Sequence, residues 1–321
     1  MSTPTPPRDA DFASVEPLRA LLTEHFGPER ARRWVDEWLA TELERVTDPE
    51  FAALFEPLQE HYPVPIDAFS HRLLTTDWGR LLGGIRFFNR DWQRPFVELI
   101  AWDGTTDLHQ LATVTREAWH AFRPPRARLP FAAGPLPAGV WPDNALYGAR
   151  VSAIAEATTS QRAVTLEPLT ADEASIAEAE AFVAQTYAAL AASDPVLATL
   201  ITPASASQLR HCVAEGSADW ICVAGARIGV LAIAEETVDF VTGDVVVEKV
   251  IAPQSRGHGY SATAQGLWAA RRLRRLSAGE DEPWLLGTID QLNRGSIKTA
   301  RAVGRQALLQ WGFLSLDAET P

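Results

Sequence analysis

The sequence predicts an α+β protein of two domains, with a central mixed, mostly antiparallel α/β sheet flanked by helices. Its 321 residues suit two domains of about 150 residues each. The 46% hydrophobic and 22% charged residues are typical of globular domains. In both halves the predicted strands come in a group of three, and helices precede and follow that group. We expect a disordered lead-in over residues 1–10, an N-terminal α+β domain over 11–150 and a C-terminal domain over 160–321.

In the N-terminal half, hydrophobic spacing and turn residues predict two helices, three strands, a helix and a strand. Trp34 and Trp38 lie at helical spacing, and Asp48-Pro49 is a typical helix start. Glycines and prolines over 133–143 predict a loop, and small polar residues over 145–160 predict the domain boundary. The predicted helices cover 28–46, 48–61 and 106–122, and the predicted strands cover 71–75, 81–88, 96–102 and 127–131.

In the C-terminal half, the same signals predict the order strand, two helices, three strands, helix, strand, helix, strand. Thr170 to Glu173 resembles a capping box, and Gly225-Ala226-Arg227 predicts a tight hairpin. The predicted strands cover 163–169, 220–224, 228–234, 245–251, 284–288 and 306–316, and the predicted helices cover 170–192, 205–215, 260–276 and 293–303.

Charge and composition limit the classes of function. A net charge of −12 argues against general nucleic-acid binding and suits a cationic acceptor such as an amine. No apolar run reaches the roughly 20 residues of a membrane-spanning helix, and residues 1–8 lack the pattern of a signal peptide. The two cysteines, Cys212 and Cys222, suit a reduced compartment. We expect a cytoplasmic monomer or homodimer with no nucleic-acid or membrane partner.

The run from Val245 to Tyr260 is the most informative, because a strand passes through a glycine-containing turn directly into a helix. Backbone N–H groups at a helix start have no intrahelical acceptor, and the helix dipole adds positive charge there. Gly257 and Gly259 allow positive φ and a close approach to an anion. The turn Gln254–Gly259 is therefore predicted to bind a pyrophosphate, while glycines that serve only packing are the alternative. A dinucleotide fold would require a third glycine, which is absent.

The pattern Gln254-x-x-Gly257-x-Gly259 resembles the signature of the GNAT superfamily of N-acetyltransferases. Asn293-x-x-Ser296, at the start of a helix, resembles the second motif of that family, and the hairpin over 223–230 resembles its second and third strands. The resemblance covers about residues 161–316. It implies a GNAT fold and transfer of acetyl from acetyl-CoA to a primary amine of a small molecule or peptide, by direct attack in a ternary complex. The alternative is a non-catalytic acyl-CoA-binding sensor or interaction module.

The resemblance also implies cofactor-binding roles for single residues. The backbone of the strand end would pair with the pantetheine arm, the N–H groups of 256–261 would hold the pyrophosphate, and the motif asparagine would bind the pantetheine or a water molecule. The residues concerned are Val250, Ile251, Arg256, Gly257, His258, Gly259, Tyr260, Ser261, Asn293 and Ser296.

Two residues are candidates for catalysis. Glu248 occupies a position where many members of the family hold a base, and strand alternation places it with Val246 and Val250 inside an apolar strand, where its pKa would be raised. The alternative is that Glu248 faces solvent or pairs with an arginine. The position where many members hold a thiolate-protonating tyrosine is Ala300, and Tyr260 is the tyrosine nearest to the turn, with a packing role as the alternative.

Two further expectations concern metal binding and the first half of the chain. His258 has no second histidine at ligand spacing, so we expect no metal site. The element order of the N-terminal half repeats part of the C-terminal order, which favours a degenerate GNAT-like copy, with an unrelated α+β domain as the alternative. Asp103 and Asp107 would repel a pyrophosphate there, so this half is expected to bind no cofactor.

Overall fold

A computed structural model describes residues 12–157 and 164–317, which fall into two compact units. The first unit comprises Met1–Asp143 and Leu309–Pro321, and the second comprises Asn144–Leu308. Each unit contains a mixed, mostly antiparallel sheet with helices packed against it, which confirms the predicted fold class. The predicted lead-in over 1–10 and the boundary residues 158–160 lie outside the described residues.

In the first unit the strand order is β1-β2-β3-β4-β11. All neighbours are antiparallel except β3 and β4, which run parallel and pair at only two positions, Val97 with Ala127 and Glu98 with Arg128. The elements are α1 (Glu16–Phe26), α2 (Pro28–Glu44), α3 (Pro49–Ala53), α4 (Glu56–Gln59), β1 (Arg72–Thr76), β2 (Gly79–Phe87), β3 (Pro95–Trp102), α5 (Leu108–Ala118), β4 (Arg126–Ala132) and β11 (Gln306–Ser315).

In the second unit the strand order is β5-β10-β9-β8-β7-β6, and only β9 and β10 run parallel. The helix that joins these two parallel strands is α10. The elements are β5 (Val140–Arg150), α6 (Val151–Ala157), β6 (Val164–Pro168), α7 (Glu173–Ser193), α8 (Pro195–Ala198), α9 (Ala206–Ala214), β7 (Ala218–Val223), β8 (Ala226–Val238), β9 (Val241–Ile251), α10 (Tyr260–Arg275), β10 (Trp284–Asp290) and α11 (Arg294–Ala302).

Two apolar clusters in the second unit lie on opposite faces of the sheet. The α10 cluster joins Trp268 to Leu231 and Leu285, and the α7/α9 cluster joins Val183 to Trp220. Ion pairs add polar anchors for α10: Arg271 Nη1 donates to Asp219 Oδ1 at 2.7 Å, and Arg272 Nε donates to Asp244 Oδ2 at 3.0 Å. Both arginines lie in the second half of α10, so these ion pairs anchor the half of the helix that is remote from the turn after β9.

The element order predicted for residues 164–315 is confirmed, with the short helix α8 added. The single helix predicted over 48–61 is wrong: α3 and α4 are separate, because Phe55 leaves helical geometry before a new first turn that contains Pro57. The loop predicted over 133–143 is wrong from residue 140 onward, where β5 begins, and β5 and α6 occupy the described residues 145–157 of the segment predicted as the domain boundary. The sequence did not predict β5 because its small residues have the composition of a loop. In the structure these residues allow close packing: a Cβ on Gly148 would lie 2.7 Å from Leu308 and 2.9 Å from Leu286.

The division into units also differs from the domain limits expected from the sequence. Residues 144–150 pair with β10 and belong to the second unit, although they were assigned to the N-terminal domain. Residues 309–315 pair with β4 and belong to the first unit, although they were assigned to the C-terminal domain. Both assignments follow from contacts between residues far apart in sequence, and composition carries no signal for such contacts.

Candidate functional site

The parallel strands β9 and β10 diverge soon after they meet. They pair only at Asp244 with Leu285 and at Val245 with Leu286, although both strands continue further. A bulge at Val247 bends β9 at this point, because Glu248 pairs with Ala232 and Val246 pairs with Ile233. We call the space between Val246–Ile251 and Gly287–Asp290 the β9–β10 gap. Along the gap, the edge of β9 that faces away from β8 has no strand partner among the described residues.

The turn after β9 leads directly into α10. Gly257 and Gly259 have φ of +80° and +74°, a region that glycine enters without strain. Among the described residues, no acceptor is found for the backbone N–H groups of residues 257–261. The N–H of Arg256 donates to Pro253 O at 3.3 Å, so the predicted set of free donors begins one residue later than expected.

The start of α10 is unusual within the second unit. The other helices for which an N-cap is described begin with a side-chain cap: Asp172 for α7, Asp194 for α8, Ser205 for α9 and Asn293 for α11. At α10 the cap position is Gly259, which has no side chain. Ser261 Oγ is buried at the same turn without a hydrogen-bond partner. Unmatched donors at a helix start fit a pyrophosphate, so the residues present fit the diphosphate of coenzyme A.

The remaining residues of the turn have contacts within the protein. Arg256 is exposed, and its Nε donates to Ile251 O at 3.2 Å, which occupies one backbone group predicted to pair with the pantetheine arm. The rings of His258 and Tyr260 are stacked at 5.4 Å between centroids, and Tyr260 packs against the α10 cluster. Tyr260 therefore has a packing role in this structure, and its proposed proton transfer stays a prediction.

The second motif lies at the start of α11. Asn293 Oδ1 accepts from the backbone N–H of Ser296 at 3.0 Å, so these two predicted cofactor residues cap the helix together. Ala300 is fully buried beside Tyr147 and Ile289. The methyl side chain of Ala300 has no proton to donate.

Glu248 is 4% exposed and faces neither solvent nor an arginine partner. Its Oε2 accepts from Ala204 N–H at 2.9 Å, and its Oε1 accepts from Lys249 N–H at 2.8 Å and from the Tyr187 hydroxyl at 3.4 Å. Burial raises the pKa of Glu248, although these donors act in the opposite direction. Burial of Tyr187, together with the charge of the neighbouring Glu248 carboxylate, raises the pKa of this tyrosine.

The predicted alternation of Val246, Glu248 and Val250 is wrong for Val246. Val246 packs with the α10 cluster, whereas Val250 belongs to the α7/α9 cluster, on the side where Glu248 meets Ala204 and Tyr187. The bulge at Val247 inserts one residue into β9, so Val246 and Glu248 lie on opposite faces of the sheet although they are two residues apart. Tyr187 carried no sequence signal, because it lies in an alanine-rich helix 61 residues before Glu248.

Two cations that the sequence did not single out lie at the β9–β10 gap. Arg305 is 2% exposed, and its Nη1 lies 2.8 Å from where a Cβ on Gly287 would stand. Burial lowers the pKa of Arg305 to about 10. Burial, together with the charge of Arg305, lowers the pKa of Lys249 to about 7, although part of the lysine stays accessible to solvent.

The first unit has a different arrangement at the corresponding places. Its parallel pair β3–β4 carries an ion pair where the strands meet, between Arg128 Nη1 and Glu98 Oε1 at 3.0 Å. The side chain of Asp107 caps α5 by accepting from His109 N–H at 2.8 Å. A carboxylate therefore occupies the helix start that would otherwise face an anion.

Over residues 12–157 and 164–317, no group of three or more His, Cys, Asp or Glu side chains is placed to hold a metal ion. Within the same ranges, no helix is both long and apolar enough to cross a membrane.

Comparisons with known proteins find likeness only among solved structures. No protein-family model matches the chain, and no curated protein matches it. An acetyltransferase of the GNAT family from Colwellia psychrerythraea is similar at 10% identity and a TM-score of 0.46, over 83% of this chain and 95% of that one. A GCN5-related N-acetyltransferase from Sphaerobacter thermophilus is similar at 11% identity and a TM-score of 0.46, over 75% and 78% of the two chains.

A third solved structure is a tandem GNAT protein from the clavulanic acid biosynthesis pathway. It is similar at 12% identity and a TM-score of 0.41, over 86% of this chain and 98% of that one. At these values, none of the three likenesses assigns an activity to this chain.

Proposed function

We propose that the second unit is an acetyl-CoA-dependent N-acetyltransferase that acts on a primary amine of a small molecule or peptide. The observation that carries the proposal is the uncapped start of α10, where the N–H groups of 257–261 and Ser261 Oγ have no acceptor among the described residues. These donors lie at the end of the strand that borders the β9–β10 gap. A diphosphate on the turn would direct the attached thioester arm along that gap.

The reaction would proceed by direct attack. The amine first loses the proton that makes it cationic. Its nitrogen then forms a bond with the thioester carbon, the carbon–sulfur bond breaks, a second amine proton passes to a base, and the thiolate takes up a proton. The protein would hold the diphosphate on the N–H groups of 257–261 and offer the free edge of β9 to the pantetheine amides. The net charge of −12 suits a cationic amine as the acceptor.

Glu248 is the proposed proton acceptor. It lies three residues beyond the last pairing of β9 with β10, and burial raises its pKa towards the range of a general base. Its donors Ala204, Lys249 and Tyr187 hold the carboxyl group in one orientation. A base fixed in this way loses little freedom when the amine arrives.

The test measures acetyl-CoA binding by thermal shift and transfer by release of CoA thiol over a panel of primary amines. We expect stabilisation by acetyl-CoA, and turnover with at least one amine. Glu248→Gln is expected to lower kcat about 100-fold or more and to remove the acidic limb of the pH profile, while acetyl-CoA binding persists. The control Tyr187→Phe removes one donor and keeps the carboxylate. Equal kcat in wild type and Glu248→Gln would exclude Glu248 as the base.

The buried Ala300 favours a second candidate function, a module that binds acyl-CoA without turnover. In that case acetyl-CoA would stabilise the protein, and no amine would release thiol. Absence of any stabilisation at millimolar acetyl-CoA would exclude both candidates.

We further propose that the first unit is a diverged GNAT-like copy that binds no coenzyme A. The support is its strand arrangement. The strands β1, β2 and β3 are antiparallel neighbours, β4 runs parallel to β3 and pairs with it at two positions, and β11 is antiparallel to β4. The helix α5 connects β3 to β4. Asp107 at the start of α5 would oppose a diphosphate. Binding of one acetyl-CoA per chain in calorimetry is the expected result, and two would contradict it.

A further inference from the structure

Arg305 is a buried cation that has no counter-ion among the residues the structure describes. Nε and Nη1 of its guanidinium are buried and have no acceptor among the described residues. Loss of water lowers its pKa, and no carboxylate among the described residues offsets this effect. Burying a charged group without a counter-ion is costly, and native proteins almost always pair such groups. A water molecule could accept from these N–H groups but would not balance the charge.

Lys249 adds a second positive charge at the same place. The charge of Arg305 acts on Lys249, and the one carboxylate that acts on the lysine is Glu248. Both oxygens of Glu248 are already bound by Ala204, Tyr187 and the lysine's own backbone N–H. While Lys249 is protonated, below its pKa of about 7, two cations and one carboxylate leave one positive charge in excess.

The position of this excess charge is the β9–β10 gap. Gly287 is the first residue of β10 beyond its pairing with β9, and it has no side chain to exclude the guanidinium. A Cβ there would meet Arg305 Nη1 at 2.8 Å and Val246 Cβ at 3.5 Å. The guanidinium thus lies at the point where the two strands diverge.

We propose that Arg305 and Lys249 form a binding site for the carboxylate of a reactant. This inference rests on the proposed function, because the gap is where the thioester and the amine would meet. The carboxylate belongs either to the acyl group of the donor, as in a dicarboxylic monothioester, or to the acceptor, as in an α-amino acid. A monoanion is favoured because the excess charge is one and the surroundings include the apolar Val246. The planar guanidinium also matches a carboxylate with two parallel hydrogen bonds.

The test compares ligands with and without the carboxylate by calorimetry at pH 6.5. The donor arm uses succinyl-CoA against acetyl-CoA, with butyryl-CoA as a control for chain size. The acceptor arm uses protein saturated with acetyl-CoA, and compares a mixture of the common α-amino acids with their amides. In one of the two arms we expect the carboxylate to tighten binding about tenfold or more.

Two variants and a matched control assign that preference to the site. Arg305→Met is expected to abolish the preference and to leave the free protein at least as stable as wild type, since an unpaired buried charge is removed. Lys249→Met is expected to weaken the preference, and it provides the readout if Arg305→Met does not fold. Arg301→Met, at an exposed arginine near the end of α11, should keep the full preference.

The inference is overturned if neither arm shows a preference for the carboxylate, or if the preference survives in Arg305→Met. Its failure is distinguishable from failure of the proposed function. If the protein binds acetyl-CoA but shows no preference for a carboxylate, the carboxylate site is contradicted and the transferase proposal is not. Conversely, the protein could bind no CoA thioester while succinate or α-amino acids stabilise wild type but not Arg305→Met. That result would support the carboxylate site and contradict the transferase proposal.

Discussion

Lys249 is one of only two lysines in a chain that otherwise uses arginine for its positive charges. An arginine keeps its proton near neutral pH even where burial lowers its pKa, as at Arg305, whereas a buried lysine can lose its proton there. The pKa of about 7 therefore makes Lys249 a cation whose charge depends on its surroundings. A carboxylate bound beside it would raise that pKa and draw a proton from solvent.

Lys249→Met is expected to change the pH dependence of stability. In the folded wild type the pKa is about 7, against 10.5 for an unperturbed lysine, so between these values the unfolded state binds more protons. The free energy of unfolding of wild type should thus rise with pH across this window, relative to the variant. The free energy of unfolding of wild type minus that of Lys249→Met should increase by about 1.4 kcal/mol or more from pH 6.5 to pH 9.5, because one pKa unit corresponds to that energy.

Urea unfolding at pH 6.5, 8 and 9.5 measures this effect. Lys298→Met, which replaces the other lysine, is the control and should follow wild type at each pH. Curves for wild type and Lys249→Met that stay parallel from pH 6.5 to 9.5 would show that the ammonium is fully hydrated in the folded protein.

At the scale of elements, the connection from β9 to α10 depends on backbone geometry at two glycines. Gly257 has φ of +80° and no heavy atom within 4 Å of an added Cβ. A methyl group there meets only the backbone cost of positive φ in the free protein. Any further effect of the substitution must come from a ligand.

Gly257→Ala is accordingly expected to lower the free energy of unfolding by about 1 kcal/mol and to weaken acetyl-CoA binding about tenfold or more. Gly225→Ala is the matched control, because Gly225 has φ of +79° in the β7–β8 hairpin and also has no atom within 4 Å of an added Cβ. It should cost similar stability and leave binding unchanged. Chemical denaturation and calorimetry give the two quantities. Equal affinities for both variants would contradict a ligand on the turn.

Most elements were predictable from the sequence, because their signals are local. Hydrophobic spacing predicts α2 and α10, and the glycine turn predicts the strand-to-helix connection before α10. The site was predictable only in part. The orientation of Glu248 depends on a bulge that the sequence does not mark, and Arg305 reaches the gap only because β10 carries a glycine at residue 287. Contacts between residues distant in sequence produce both features.

At the scale of the whole molecule, the two units do not correspond to two halves of the sequence. The strand β5 completes the sheet of the second unit beside β10, and β11 pairs with β4 of the first. The chain therefore passes between units at residues 143–144 and again at 308–309, both inside strands.

A fragment of residues 144–308 is expected to fold, whereas a fragment of residues 160–321 is not. The first keeps the part of β5 that pairs with β10 (144–150) and every other strand and helix of the second unit, whereas the second loses β5 and α6, which contribute Ala149, Val151 and Ile154 to the α10 cluster. Removing several buried apolar residues costs more than the net stability of a small domain. Circular dichroism and cooperative thermal melting measure the outcome. Cooperative melting of the 160–321 fragment would show that β5 is dispensable.

The place of β11 also sets an order of events during protein synthesis. Domains ordinarily fold from the N-terminus onward as the chain emerges from the ribosome. Here the first unit lacks one strand until residues 309–315 have been made, and by then all of residues 144–308 exist. Synthesis of the first unit therefore starts first but ends last. Until residues 309–315 are made, the edge of β4 that pairs with β11 has no partner strand, while the second unit can already assemble. Nascent chains of this protein are therefore expected to need protection at an edge formed early in translation.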